Sequence, residues 1–276
     1  MDGQGVVGGE LLNARVVERE QLNEALIRLR AAYDRGAPPP YLPGQFANLG
    51  LPPRDPDQVQ PGAKLVKRPY SVSSVPGEDT LEFFVRLVDG GALTPSLFAL
   101  PEGGRLWMDE RLLGRFTLDS LPESPPAAER DLLLISTGTG IAPFISMLRA
   151  CGPDSGATRP FRRATLVNGV RIASDLGYRA ELESRCRQDP ALRYLPVCTR
   201  EPAGGPWSGA RGRLPELFAR DEIESLLGWP LDPQHVQVML CGNPEMIDAL
   251  LTLLAERGFK KHSRRDPGQV HFERYW

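Results

Sequence analysis

The chain of 276 residues has only four cysteines, Cys151, Cys186, Cys198 and Cys241, and no two of them form a C-x-x-C pair. That spacing indicates neither a zinc site nor an iron–sulfur cluster, and nothing suggests a disulfide scaffold. A reducing, cytoplasmic setting is therefore expected. His235, His262 and His271 lack the H-x-x-x-H and H-E-x-x-H spacings of metal sites and read as ordinary structural or surface residues. No apolar run approaches the roughly 20 residues of a membrane span. The first ten residues are glycine-rich, with neither a basic start nor an apolar core, so they read as a flexible lead-in rather than a secretory signal. Excess basic charge is lacking too: 33 Lys and Arg against 35 Asp and Glu give a formal net charge of −2. A general nucleic-acid binder carries such an excess to displace counterions, and that class is excluded.

What is present is enough chain for two medium-sized domains. The first half reads as short strands between Pro/Gly turns: around 26–29, then 45–51, 64–74 and 81–88, with loops at 36–40 and 50–62. In 81–88 the residues Leu81, Phe83, Val85 and Leu87 alternate with Glu82, Phe84, Arg86 and Val88, the period of a strand. This pattern predicts an antiparallel barrel. Residues 121–130, with Pro122, Pro125 and Pro126, read as a linker. Beyond it, strands at 132–135, 164–167, 192–198 and 236–240 alternate with helical segments after Gly140, at 176–188, 214–219, 222–227 and from Met246 to Leu254. Alternation of that kind predicts a doubly wound parallel sheet, with 236–240 as its last strand. The expected division is 1–125 and 126–276.

Three motifs carry the chemistry. Arg68-Pro69-Tyr70-Ser71 closes a strand and offers a cation, an aromatic face and a hydroxyl, which suit an anionic aromatic cofactor; a plain strand would look the same. Gly138-Thr139-Gly140 sits at a strand-to-helix turn, where bare backbone and a helix N-terminus suit a nucleotide phosphate; a tight structural turn is an equal alternative. Cys241-Gly242-Asn243-Pro244 follows another strand, with Asn243 suited to cap the next helix. The second strand of the parallel sheet lacks the carboxylate that holds an NAD ribose and runs into Arg171, with Arg200 and Arg213 further on. Three guanidinium forks suit a 2′-phosphate, although on spacing alone solvated arginines are the favoured reading. Gly90-Gly91-Ala92-Leu93-Thr94 offers N–H groups and a hydroxyl to a phosphate, or a plain helix cap. Arg257, Lys260, Lys261, Arg264 and Arg265 form a basic stretch that would steer an acidic protein, or simply face solvent.

Together, from about Asn23 to Trp276, these motifs resemble the bacterial type of the ferredoxin/flavodoxin–NADP⁺ reductase family. The resemblance implies an FAD-binding Greek-key barrel followed by an NADP-binding α/β domain. It implies hydride transfer between NADPH and FAD, with single electrons exchanged with ferredoxin or flavodoxin. FAD would be held by Arg68, Pro69, Tyr70, Ser71, Phe84, Ala92, Leu93, Thr94 and Thr139, and covered by the terminal Tyr275 and Trp276. Phe84 stands where relatives often have Tyr, so a hydroxyl contact to the adenosine is missing. NADP(H) would be held by Gly138, Thr139, Gly140, Arg171, Arg200, Arg213, Cys241, Gly242 and Asn243. On this reading the arginines grip the 2′-phosphate. Ser71, Cys241 and Glu273 would serve the reaction itself. No metal is implied, and a monomer is expected. The nearest rival is an NADH-dependent flavin reductase of similar build, from which the arginine set discriminates.

Overall fold

The computed structural model describes residues 6–7, 10–54, 64–152, 156 and 158–275. Trp276 lies outside the described residues. The chain divides into two compact units, Met1–Thr117 with Ile145–Ala150, and Leu118–Phe144 with Cys151–Trp276.

The first unit begins with a small antiparallel pair, β1 (Val6–Val7) and β2 (Glu10–Leu11), where only a glycine-rich lead-in was expected. It continues with β3 (Ala14–Asn23), β4 (Leu26–Tyr33), β5 (Phe46–Leu51), β6 (Val66–Ser71), β7 (Leu81–Arg86), α1 (Thr94–Ala99) and β8 (Arg105–Met108). The main sheet is antiparallel, in the order β6-β5-β8-β3-β4-β7. Its two ends meet at a bridge between Val72 and Phe83, and the Ser73 N–H donates to the Glu82 carbonyl at 2.8 Å. This closes the barrel and removes the open edges that a flat sheet would leave. Ile27, Leu29, Leu49, Leu81, Phe83, Val85 and Leu106 fill the core.

Alternation in β7 predicts one buried face, yet Leu81 to Val85 are all buried, Glu82 included. The outer face is covered by the second part of α2 (Ala142–Ala150), whose residues 145–150 belong with this unit. The Glu82 carboxylate, 5% exposed, accepts from Arg149 at 2.9 Å and from Arg30 at 2.8 and 3.1 Å. Ser146 donates to the Ser74 carbonyl at 2.6 Å. A buried charge is tolerated only when paired in this way.

The second unit holds β9 (Asp131–Thr137), the start of α2, β10 (Arg163–Val170), α3 (Arg179–Gln188), β11 (Leu192–Cys198) and β12 (Ala210–Arg211). There follow α4 (Leu214–Ala219), α5 (Glu222–Leu227), β13 (Val236–Gly242), α6 (Pro244–Glu256) and β14 (Val270–Arg274). All strands are parallel, in the order β12-β11-β10-β9-β13-β14. β13 is not the last strand, as the sequence suggested: β14 adds an edge beyond it. Its V-H-F-E-R sequence mixes charge with apolar residues because it has only one strand neighbour, so it lacks the apolar run of a central parallel strand. The proline-rich stretch before β9 is pinned by Arg130, which is buried and donates to the carbonyls of Pro122, Pro125 and Pro160.

Candidate active site

In the second unit, β10, β11 and β12 run outward to one side of β9, and β13 and β14 to the other. The carboxyl ends of β9 and β13 therefore flank the point where strand order reverses, where open α/β sheets bind ligands. Both glycine motifs sit there. Gly138 opens a 3-10 turn, Gly138–Ile141, at φ +54°, and a Cβ added to it would meet nothing within 4 Å. Gly140 is different: a Cβ there would lie 2.4 Å from the Cys241 carbonyl oxygen. The first glycine leaves open space beside the turn, whereas the second lets two loops of the protein touch. Gly242, at φ +133°, has the Thr137 hydroxyl where its own side chain would be. The Asn243 N–H donates to Thr137 Oγ1 at 2.9 Å, and Asn243 Oδ1 caps α6 by accepting from the Met246 N–H at 3.1 Å. Thr137 was not among the residues expected at the site; the hydroxyl preceding G-T-G was its only signal.

Cys241 is fully buried and pairs in register with Ser136 on one side and Glu273 on the other. Burial pushes its thiol well up, the Glu273 carboxylate adds to this, and the nearby Tyr275 hydroxyl pulls the other way. Burial also raises Glu273 to about 7. Tyr275 is not part of a loose tail: its N–H donates to the Gly242 carbonyl at 3.0 Å, which prolongs the β13–β14 ladder. Cys241, Glu273 and Tyr275 are thus gathered at one strand end.

At the neighbouring strand ends, Arg171 follows β10 and Arg200 follows β11, and the Arg200 N–H donates to the Arg171 carbonyl at 2.8 Å. Arg213 is the N-cap residue of α4. All three are exposed. Arg171 Nε stands 3.9 Å from the buried Asp175 carboxylate.

In the first unit, Arg68 and Pro69 are exposed on β6, with Arg68 Nη1 donating to the Lys67 carbonyl at 2.8 Å. Tyr70 packs partly against the barrel core, and burial pushes its hydroxyl up to about 12. Ser71 is 4% exposed, and its Oγ has no hydrogen-bond partner among the described residues. A buried hydroxyl without a partner is uncommon in native folds and points to a missing ligand group. Phe84 is buried on β7. Ala92 is exposed and Leu93 buried; the Thr94 hydroxyl accepts from the Val88 N–H at 3.0 Å. That hydroxyl is committed to its own loop, so a phosphate there would meet backbone N–H groups instead.

Of the basic stretch, Arg257 is tied to the Phe218 carbonyl and Asp221, Lys260 pairs with Asp266, and Lys261 lies 4.7 Å over the Phe272 ring. Arg264 and Arg265 are exposed.

A closed antiparallel barrel unit joined to a doubly wound unit with glycine loops at its switch point is the build of two-domain nucleotide-dependent oxidoreductases. A family model described as an oxidoreductase NAD-binding domain matches residues 134–251. The flavodoxin/ferredoxin–NADP reductase of Escherichia coli (strain K12) is 36% identical over 241 residues, 86% of this chain and 88% of that protein. Ferredoxin–NADP reductase A of Sorangium cellulosum (strain So ce56) is 34% identical over 243 residues, 85% of this chain and 80% of that protein. A crystal structure of a ferredoxin NADP⁺ reductase from Neisseria gonorrhoeae, with bound FAD and NADP, superposes with a TM-score of 0.81 at 27% identity, over 96% of this chain and 98% of that one. The chain belongs to the flavodoxin/ferredoxin–NADP reductase family.

Proposed function

We propose that residues 1–125 bind FAD, that residues 126–276 bind NADP(H), and that the chain is an FAD-dependent flavodoxin/ferredoxin–NADP reductase. The observation that carries the flavin assignment is the buried Ser71 hydroxyl, without a hydrogen-bond partner among the described residues, on the strand that also carries the partly buried Tyr70 and the exposed Arg68. These groups fit a planar, hydrogen-bonding, anionic cofactor. FAD, when bound, exchanges a hydride with nicotinamide and single electrons with a carrier.

The chain's own residues position and insulate. Ser71 supplies a hydroxyl that no group among the described residues claims. Tyr70, with its hydroxyl raised to about 12, stays neutral and offers a ring face. Cys241 remains a thiol at neutral pH, so it packs against the reacting region and does not act as a thiolate nucleophile. Glu273, raised to about 7, can hold a proton or release it near neutrality. Arg171, Arg200 and Arg213 bind the 2′-phosphate, while Gly138, Thr139, Gly242 and Asn243 line the nucleotide loop. Phe84, Ala92, Leu93 and Thr94 serve the adenine and pyrophosphate of FAD. The electron partner is a ferredoxin or flavodoxin, steered by the exposed Lys261, Arg264 and Arg265. The protein acts as a cytoplasmic monomer.

The test is a visible spectrum of the purified protein before and after anaerobic NADPH, followed by addition of an oxidised ferredoxin or flavodoxin. A yellow chromophore that bleaches with NADPH and recovers on reducing the carrier is expected. A colourless protein, or a flavin reduced by NADH in preference to NADPH, overturns the assignment.

A further inference from the structure

We infer that Glu201 is a positioning residue for cofactor selectivity: it ties the Arg171 loop to the Arg200 loop and so sets the preference for a nucleotide with a 2′-phosphate. The inference rests on reading this edge of the sheet as the NADP site.

β10 and β11 run side by side, and their pairing continues past the strands. The Thr199 N–H donates to the Val170 carbonyl at 3.0 Å, and the Arg200 N–H to the Arg171 carbonyl at 2.8 Å. The next residue, Glu201, sends its carboxylate back across the gap. Its Oε1 accepts from the Ala173 N–H at 2.5 Å, at the start of the short 3-10 turn Ala173–Asp175 that follows Arg171. The Glu201 carbonyl accepts from Arg211 Nη1 at 2.7 Å, and Arg211 Nη2 donates to the Trp207 carbonyl at 2.8 Å. Glu201 is therefore held at both ends, and it joins three segments: the turn after β10, the loop after β11, and β12.

A carboxylate among phosphate-binding arginines is at first sight misplaced, because it repels the ligand and competes for the guanidinium groups. The geometry resolves this. Among the described residues, the Glu201 carboxylate is engaged by a backbone N–H, and the guanidinium of Arg211 takes the Glu201 carbonyl instead. Asp175, only 9% exposed, faces the Nε side of Arg171, whose side chain is 48% exposed. Glu201 fixes the backbone, Asp175 lies beside Arg171 Nε, and the three arginines remain exposed. Arg211 is occupied with the loop, which separates it from Arg171, Arg200 and Arg213. Without the Glu201 bridge the backbone bond from Arg200 to Arg171 remains but the turn at Ala173 loses its side-chain anchor, and the long arginine side chains must be ordered more fully when the ligand binds, which weakens binding. Loss of the repulsive charge acts the other way, but Glu201 is only half-buried and salt screens part of that repulsion.

The probes are 2′,5′-ADP and ADP, titrated calorimetrically into the FAD-loaded protein at physiological salt. In E201A, 2′,5′-ADP is expected to bind about fivefold more weakly, the scale of one or two newly unanchored side chains, with ADP unchanged. E201Q keeps an oxygen acceptor for the Ala173 N–H and should remain within about twofold of wild type. The KM for NADPH should follow the same order, with kcat and the KM for NADH unmoved. Unchanged or tighter 2′,5′-ADP binding in E201A overturns the inference, as does equal weakening of ADP or an equal effect of Gln and Ala. A wild-type protein that does not distinguish 2′,5′-ADP from ADP overturns the NADP assignment itself, and the inference with it.

Discussion

The backbone N–H of Asn243 donates to the hydroxyl of Thr137 at 2.9 Å, across 106 residues of chain. That bond, with Gly140 against the Cys241 carbonyl and Gly242 against Thr137, locks the β9 and β13 loops into one surface. The two glycine motifs are thus one structural unit, and changes in one act on the other.

Gly138→Ala and Gly140→Ala should therefore differ sharply. At Gly138 the space is open and only the positive φ is strained, so a loss of about 1 kcal/mol is expected. At Gly140 the added carbon meets backbone at 2.4 Å, and a loss of about 3 kcal/mol or more is expected, with NADPH-dependent flavin reduction impaired. Denaturant unfolding and stopped-flow reduction measure both; equal costs would remove the interlock.

Ser71→Ala separates stability from function. Its hydroxyl has no hydrogen-bond partner among the described residues, so deleting it should change apoprotein stability by less than about 1 kcal/mol. Hydride transfer from NADPH should slow by about tenfold or more if that hydroxyl serves the flavin. An unchanged transfer rate in single-turnover experiments would take Ser71 out of the reaction.

Glu273 should leave its mark on stability as a function of pH. Burial raises it from an ordinary 4.5 to about 7, so the folded protein holds this proton more tightly than the unfolded chain does. Its contribution is fully present below about 4.5 and is lost as pH rises through about 7, a decline of up to about 3 kcal/mol. Urea unfolding at pH 5 and pH 8 should show this slope in wild type and a flatter one in Glu273→Gln. Carrier reduction should carry an inflection near 7 that the variant lacks.

Glu82→Gln leaves Arg30 and Arg149 without the carboxylate between them and should cost about 3 kcal/mol. Glu20→Gln breaks the surface pair with Arg28 and should cost no more than about 1 kcal/mol. Parallel unfolding curves distinguish the two; similar costs would show that the buried position of Glu82 carries no special weight.

How much the sequence revealed depended on burial pattern. The apolar runs of β9 and β13 stood out because parallel strands are covered on both faces, and the glycine and Asn-Pro signals after them marked the turns. β3 escaped notice because only Ala14 and Val16 of its ten residues are buried and, apart from Val17 and Leu22, its remainder is polar. β8 has four residues, and β14 mixes charged and apolar side chains at an edge. At the site, the motif residues were legible as chemistry, but Thr137 and Glu201 were not. Their roles arise from strand neighbours far away in sequence or from a bond across two loops, and no local spacing encodes either.

The pairing of Glu82 with Arg149 has a consequence for the order of synthesis. A ribosome that has translated all the barrel strands, through β8 and on to Thr117, has not yet delivered the cation that β7 requires; it comes about thirty residues later, after β9 and the first glycine turn are made. Up to that moment the nascent barrel carries a carboxylate with half its counter-charge. A gene fragment ending at Thr117 would preserve that incomplete stage permanently.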